Sequence, residues 1–147
     1  MATSNKLKII NDPVYGFINI PSEDIYDLMQ SEYVQRLRRI KQLGLSNLVY
    51  PGAEHTRFSH SVGAMHLMKE ALDVLRNKGE EINDEEYNAT LQAILLHDIG
   101  HSPFSHCLES FFFNQTHEEL SQIFMQELGV KDIVIAIFTN DYKKLFR

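Results

Sequence analysis

Tyr87, Leu91, Ile94 and Leu95 recur at helical spacing, and the next position on that apolar stripe is Asp98. A carboxylate carried into a core without a cation or several donors is costly, so the fold must bring it partners from elsewhere in the chain. Asp98 stands inside residues 95–106, LLHDIGHSPFSH, which also hold His97, His101 and His106. Gly100 ends the helix and Pro103 lies just beyond, which puts His97 and Asp98 at a helix carboxyl terminus. That end carries partial negative charge, so it favours a bound cation over a second unpartnered carboxylate.

The remaining pattern is mostly helical. LKIINDPVYGFINI has two short β-prone runs around Asn11, Asp12 and Pro13, which predicts a small hairpin. Ser22 caps a short helix with Glu23 and Asp24 in its first turn. A second helix is expected from about Glu32 to Leu43 on Val34, Leu37, Ile40 and Leu43, stopped by Gly44. A loop, LVYPGAEHTRFSH, leads into a third, with Ala64, Met68, Ala71 and Leu75 as its stripe; counting back four places His60 on that stripe. Asn83 with Glu86, and Thr116 with Glu119, stand at capping-box spacing ahead of two more helices. The later one carries Leu120, Ile123, Phe124 and Leu128, with Gly129 as its stop. KDIVIAIF fits helix or strand by pattern and is read as helix from its surroundings. The fold class is therefore mostly α, a helical bundle with a small N-terminal β-hairpin.

A chain of 147 residues makes one domain with a single sizeable core. Its 14 basic and 20 acidic residues leave a net charge of -6, which argues against a general nucleic-acid or membrane-surface binder. No apolar run approaches the roughly 20 residues that span a bilayer. The lone Cys107 has no internal disulfide partner and reads as a small buried hydrophobe. A cytoplasmic location is expected.

His60, on one helix, and His97 with Asp98, on another, can converge. Imidazoles with a carboxylate suit a divalent transition metal. Taken singly, each also fits a hydrogen-bonded core histidine or a salt-bridged pair. His106 and Glu109 are three apart and can face one another on a helical turn, as a working pair or as a solvent-exposed ion pair.

DPVYGFI, QRLRRIKQLG, YPGAEHTRFSHSVG, LLHDIGHSPFSH and THEE follow one another along nearly the whole chain. In these blocks the sequence resembles the HD-domain metal-dependent phosphohydrolases, within them the deoxynucleoside triphosphate triphosphohydrolase-like branch. The resemblance implies an HD-domain helical bundle with His60, His97 and Asp98 as ligands of a divalent metal ion (Mn, Fe, Ni, Zn or Mg). It implies a catalytic pair of His106 and Glu109, with His101 near the phosphates or the water at the metal. Arg57 and His117 are implied phosphate contacts, and Gln42 a sugar contact. For Arg57 the alternative is a salt bridge. Arg36, Arg38, Arg39 and Lys41 are expected on a solvated face or in subunit contacts. The implied substrate is a deoxynucleoside triphosphate, the products a deoxynucleoside and tripolyphosphate, and the implied state a homo-oligomer.

The branch takes a fourth ligand, an aspartate, from a downstream segment. Asp132 and Asp141 are the aspartates that follow the HD motif here, and neither has that context. Residues 1–147 thus read as the N-terminal part of an HD domain or a naturally reduced form, poorly active by itself. Two other readings stand beside this one: an HD-superfamily phosphomonoesterase or phosphodiesterase, and a non-catalytic nucleotide-binding or oligomerisation module.

Overall fold

The expected hairpin forms through the side chain of Asp12, whose Oδ1 accepts the Val14 and Tyr15 N–H groups at 2.8 and 3.0 Å. The computed structural model describes residues 8–104, 106, 111 and 114–139. Strands β1 (Ile9–Asp12) and β2 (Gly16–Asn19) are antiparallel, with Ile10 opposite Ile18 and Asp12 opposite Gly16. Gly16 has φ 72°, a value that strains any residue with a Cβ. Ile18 points into the core while Phe17 stays exposed, the alternation of a half-buried strand.

Among the described residues six α-helices follow: α1 (Glu23–Gln30), α2 (Glu32–Gln35), α3 (Arg57–Asn77), α4 (Asp84–Leu96), α5 (His117–Glu127) and α6 (Asp132–Phe138). Ser22 caps α1 as expected, and Ser31 joins α1 to α2 by donating to the Leu28 carbonyl and accepting from Val34. Both capping boxes are present, and KDIVIAIF is helical. Gly129 ends α5 with φ 67°. The core joins Ile18, Ile25, Val34, Leu37, Val62, Met65, Leu91, Leu95, Ile99 and Met125. A smaller cluster, Ala89, Ala93 and Val134, packs α6 on α4.

Three local expectations need correction. The second helix does not run to Leu43: α2 tightens into a 3₁₀ turn at Arg36–Arg39, and Ile40 is extended. Lys41 bridges to Thr56, with Gln42 N–H on the His55 carbonyl at 3.0 Å and Arg57 N–H on the Ile40 carbonyl at 2.8 Å. Pairing with residues 55–57 replaces the helical bonds there, and leaves Leu43 exposed. In α3 the buried stripe is Phe58, Val62, Met65 and Leu72; Ala71 and Leu75 face solvent, and His60 lies at the stripe's edge. In α5 the fully buried residues are Ser121 and Met125, while Ile123 is exposed. Ser121 is buried where the helix backbone lies against Gly100.

Candidate metal centre

α4 runs its apolar face to the end and stops at His97, its C-cap. The His97 ring donates from Nδ1 to the Ile94 carbonyl at 2.6 Å, since a carbonyl only accepts. That bond fixes the tautomer and leaves the Nε2 lone pair for a ligand. Residues 97–100 are then held from two sides. From α5, the buried Ser121 hydroxyl accepts the Gly100 N–H at 2.9 Å and donates to the His97 carbonyl at 3.1 Å. From the 3₁₀ turn, Arg36 Nη2 donates to the Ile99 carbonyl. Arg36 was expected in a solvated face; it is half-buried instead, and desolvation pulls its pKa down.

α3 supplies the other wall. Thr56 caps it by accepting the Ser59 N–H at 3.2 Å, so Arg57 and His60 both fall in the first turn. His60 Nε2 lies 3.2 Å from His97 Nε2 and 3.6 Å from Asp98 Oδ2, and His97 Nε2 lies 3.4 Å from Asp98 Oδ1. Two nitrogens bound tetrahedrally to zinc at about 2.0–2.1 Å lie roughly 3.3 Å apart, so the donors suit a small divalent ion. Burial lowers the His60 pKa, against the pull of Asp98, and so favours the neutral imidazole a metal needs.

Asp98 is buried, and desolvation opposes its ionisation. A hydrogen bond from His101, with the charges of His97 and Arg57, outweighs that and holds the carboxyl well below the usual range. Arg57 Nη1 donates to Asp98 Oδ2, both side chains being under a tenth exposed. Arg57 is therefore in an ion pair at the centre, the alternative its sequence position allowed.

A second group adjoins the first. His101 is buried with Nε2 3.5 Å from Asp98 Oδ1. Its ring stacks on His117 at 3.9 Å and meets His106 edge-on at 4.6 Å. His117 Nε2 is 3.0 Å from Glu118 Oε1. Gln42 lies on the bridge to His55, its Oε1 buried and without a hydrogen-bond partner among the described residues. Glu109 and Cys107 lie outside the described residues. A cleft of about 540 Å³ reaches His60 past Tyr15, His55 and Ser59, and another of about 480 Å³ reaches His101 past Tyr33, Arg36 and Phe124.

Sequence reasoning missed Ser121, Arg36 and the cap Thr56. Ser121 falls four residues after His117, on the same helix face, and that spacing was the available signal for it. Nothing in the local pattern separated Arg36 from Arg38, which covers Phe58 at 3.6 Å.

A helical domain in which two helices present histidines and one buried aspartate to a shared point defines a class of metal-site proteins. Residues 57–140, more than half of the chain, match the HD domain family, and the chain belongs to it. It is 52% identical to a crystallised phosphohydrolase from Bacteroides thetaiotaomicron, with a TM-score of 0.88 over 93% of this chain and 36% of that one. It is 41% identical to the Bacillus subtilis protein YwfO over 78% of this chain and 26% of that one. It is 42% identical to the Dictyostelium discoideum homologue of the deoxynucleoside triphosphate triphosphohydrolase SAMHD1, over 71% of this chain and 20% of that one. The chain thus spans between a fifth and about a third of these relatives. No helix among the described residues is long and apolar enough to cross a membrane.

Proposed function

We propose that this chain carries the metal-binding half of a nucleotide phosphohydrolase site that hydrolyses deoxynucleoside triphosphates to deoxynucleoside and tripolyphosphate. The observation that carries the reading is the meeting of His60, His97 and Asp98 beside a second cluster of imidazoles. The triphosphohydrolase named among the relatives supplies the substrate class. His60, His97 and Asp98 would hold the divalent ion, which supplies Lewis-acid charge at a phosphoryl oxygen.

The chain's own residues do the rest. Water adds at the α-phosphorus, and the bond from that phosphorus to the 5′ oxygen breaks. The 5′ oxygen needs a proton to leave as a hydroxyl, and His106, oriented and charged by Glu109, provides for that transfer. His101 and His117 offset charge on the phosphates, Arg57 acts through its ion pair with Asp98, and Gln42 meets the sugar. The α5 amino terminus, where His117 is the first residue, also favours anions. The clefts beside His60 and His101 fall within the usual range of about 300–1,000 Å³ for small-molecule sites. In this reading residues 1–147 are the N-terminal part of the HD domain, and the whole protein is a cytoplasmic homo-oligomer.

The test uses a form of the protein shown to release tripolyphosphate. Glu109→Gln there should keep its metal and lose about 10²- to 10⁴-fold in turnover, the usual worth of general acid–base help. Equal turnover would remove the pair from the mechanism. Release of monophosphate would favour the phosphomonoesterase or phosphodiesterase reading. A metal-replete protein without turnover on any phosphate ester would favour the binding-module reading.

A further inference from the structure

We infer that Ser121 is a positioning residue of the metal centre: its buried hydroxyl, rather than the packing of α5 as a whole, sets the affinity for the ion. Ser121 is 0% exposed and acts on the ligands through the backbone that carries them. Its Oγ accepts the Gly100 N–H at 2.9 Å and donates to the His97 carbonyl at 3.1 Å. One oxygen thus spans the HD turn from its first carbonyl to its last amide. The inference rests on His60, His97 and Asp98 as ligands, and goes beyond that reading in naming what holds two of them in place.

The His97 carbonyl belongs to the peptide that joins His97 to Asp98, so its direction governs both ligands delivered by α4. A helix leaves its last carbonyls without helical partners, and this end fills them one by one. The Ile94 carbonyl accepts from His97 Nδ1 at 2.6 Å, and the Leu96 carbonyl accepts the Ile99 N–H at 3.1 Å. Ser121 takes the carbonyl of His97 itself. His97 is therefore tied twice, its ring to the preceding turn and its main chain to α5. With both ties in place its Nε2 stands 3.2 Å from His60 Nε2 and 3.4 Å from Asp98 Oδ1. Releasing the second tie lets the shared peptide tilt, which moves a nitrogen and a carboxylate ligand together.

The residue type follows from the two bonds. A hydroxyl accepts and donates at a single atom, whereas the Arg36 guanidinium on the Ile99 carbonyl can only donate. Alanine at 121 is as small as serine and would serve packing equally well. It would leave the buried Gly100 N–H and the His97 carbonyl without this partner. Packing and positioning are thereby separable.

The experiment titrates metal-free protein with zinc(II) against a competing chelator, in sucrose, an excluded solute that favours the folded chain. Far-ultraviolet circular dichroism checks that each form is helical, and His97→Ala identifies the equivalent bound at this centre. Ser121→Ala should bind that equivalent about 10- to 100-fold more weakly, the usual effect of losing an outer partner of a metal ligand. Met125→Ala cuts the same buried face of α5 one turn on. It should unfold at lower urea than wild type and keep wild-type zinc affinity. Cobalt(II) absorption should change in Ser121→Ala and match wild type in Met125→Ala. Should alanine at 121 not fold, Ser121→Thr and Ser121→Val, alike in shape but for the hydroxyl, make the same comparison, and threonine should bind zinc more tightly. Wild-type affinity in Ser121→Ala, or equal affinity in the threonine and valine forms, overturns the inference. So does equal weakening by Met125→Ala, which would assign the effect to packing. Wild-type zinc binding by His97→Ala would remove the metal centre itself and the inference with it, and only that outcome reaches the underlying reading.

Discussion

α4 and α5 are opened by the same local device and meet the site with opposite ends. In α4, Asn83 and Glu86 exchange side-chain-to-backbone bonds of 2.9 and 3.0 Å; in α5, Thr116 and Glu119 do so at 3.3 and 2.9 Å. α4 then runs away from its cap and delivers His97 and Asp98 at its negative end. α5 delivers His117 directly beside its cap, at its positive end. Two helices alike in how they start thus give the site a side suited to a cation and a side suited to an anion. Ser121 and Gly100 hold the two ends together. A Cβ at Gly100 would stand 2.1 Å from the His117 carbonyl oxygen and 2.5 Å from the Ser121 nitrogen. Glycine at 100 is what lets α5 dock by its backbone.

The comparison breaks most completely if Asp98 loses its counter-charge. Arg57→Ala strands a buried carboxylate and should cost about 3–5 kcal/mol at neutral pH in metal-free protein, read by urea denaturation. The acid side adds a second reading. The folded Asp98 pKa is depressed, so its contribution is present above the ordinary value of 3.8 and lost as pH falls through the folded value. The gap between wild type and Arg57→Ala should therefore narrow below about pH 4. A gap that stays constant with pH would detach Arg57 from the carboxylate.

Gly100→Ala should come next, because the new methyl meets backbone rather than a movable side chain. Overpacking of this kind costs about 1–3 kcal/mol, sometimes more. It should also push α5 away from the HD turn, so metal binding at His97 should weaken with stability. Full stability in this variant would show that α5 does not dock as closely as described.

The two caps sharpen the comparison. Asn83→Ala and Thr116→Ala should each cost about 0.5–2 kcal/mol in thermal or urea unfolding. Only Thr116→Ala should also weaken phosphate or nucleotide binding, because only α5 presents its capped end to the site. Equal effects of both on ligand affinity would mean that the helix end is not involved.

The smallest effect lies at the far end of α4. The Tyr87 hydroxyl donates to Asp73 Oδ1 at 2.7 Å, and burial, then that bond, pushes its pKa from 10.0 up to about 12. A raised pKa means stability that is complete below pH 10 and declines as pH rises through about 12. Tyr87→Phe should flatten that alkaline decline and leave metal content unchanged. A decline that persists in the variant would assign it to another group.

Much of the fold was legible because its causes are local. The Asp12 turn, the Ser22 cap, both capping boxes and the Gly129 stop each depend on residues within a few positions of one another. Asp98 announced a polar centre for the same reason: a helix period of 3.6 carries its stripe from Leu91 through Leu95 to that carboxylate. Helix counting brought His60, His97 and Asp98 within reach of one another, and it was the resemblance to the HD-domain phosphohydrolases that named them as ligands.

Tertiary structure decided what counting could not reach. α2 tightens and ends early because residues 40–42 pair with 55–57, and no local preference of QRLRRIK announces that partner. The α3 stripe shifts so that His60 lies at its edge, since the neighbouring elements, not the helix, set which face is buried. Arg57 turns onto Asp98, Arg36 onto the Ile99 carbonyl and Ser121 onto Gly100, across 41, 63 and 21 residues of chain respectively. A sequence shows which groups need partners. Which distant group becomes the partner depends on how close two backbones come, and that distance is set only when the helices pack.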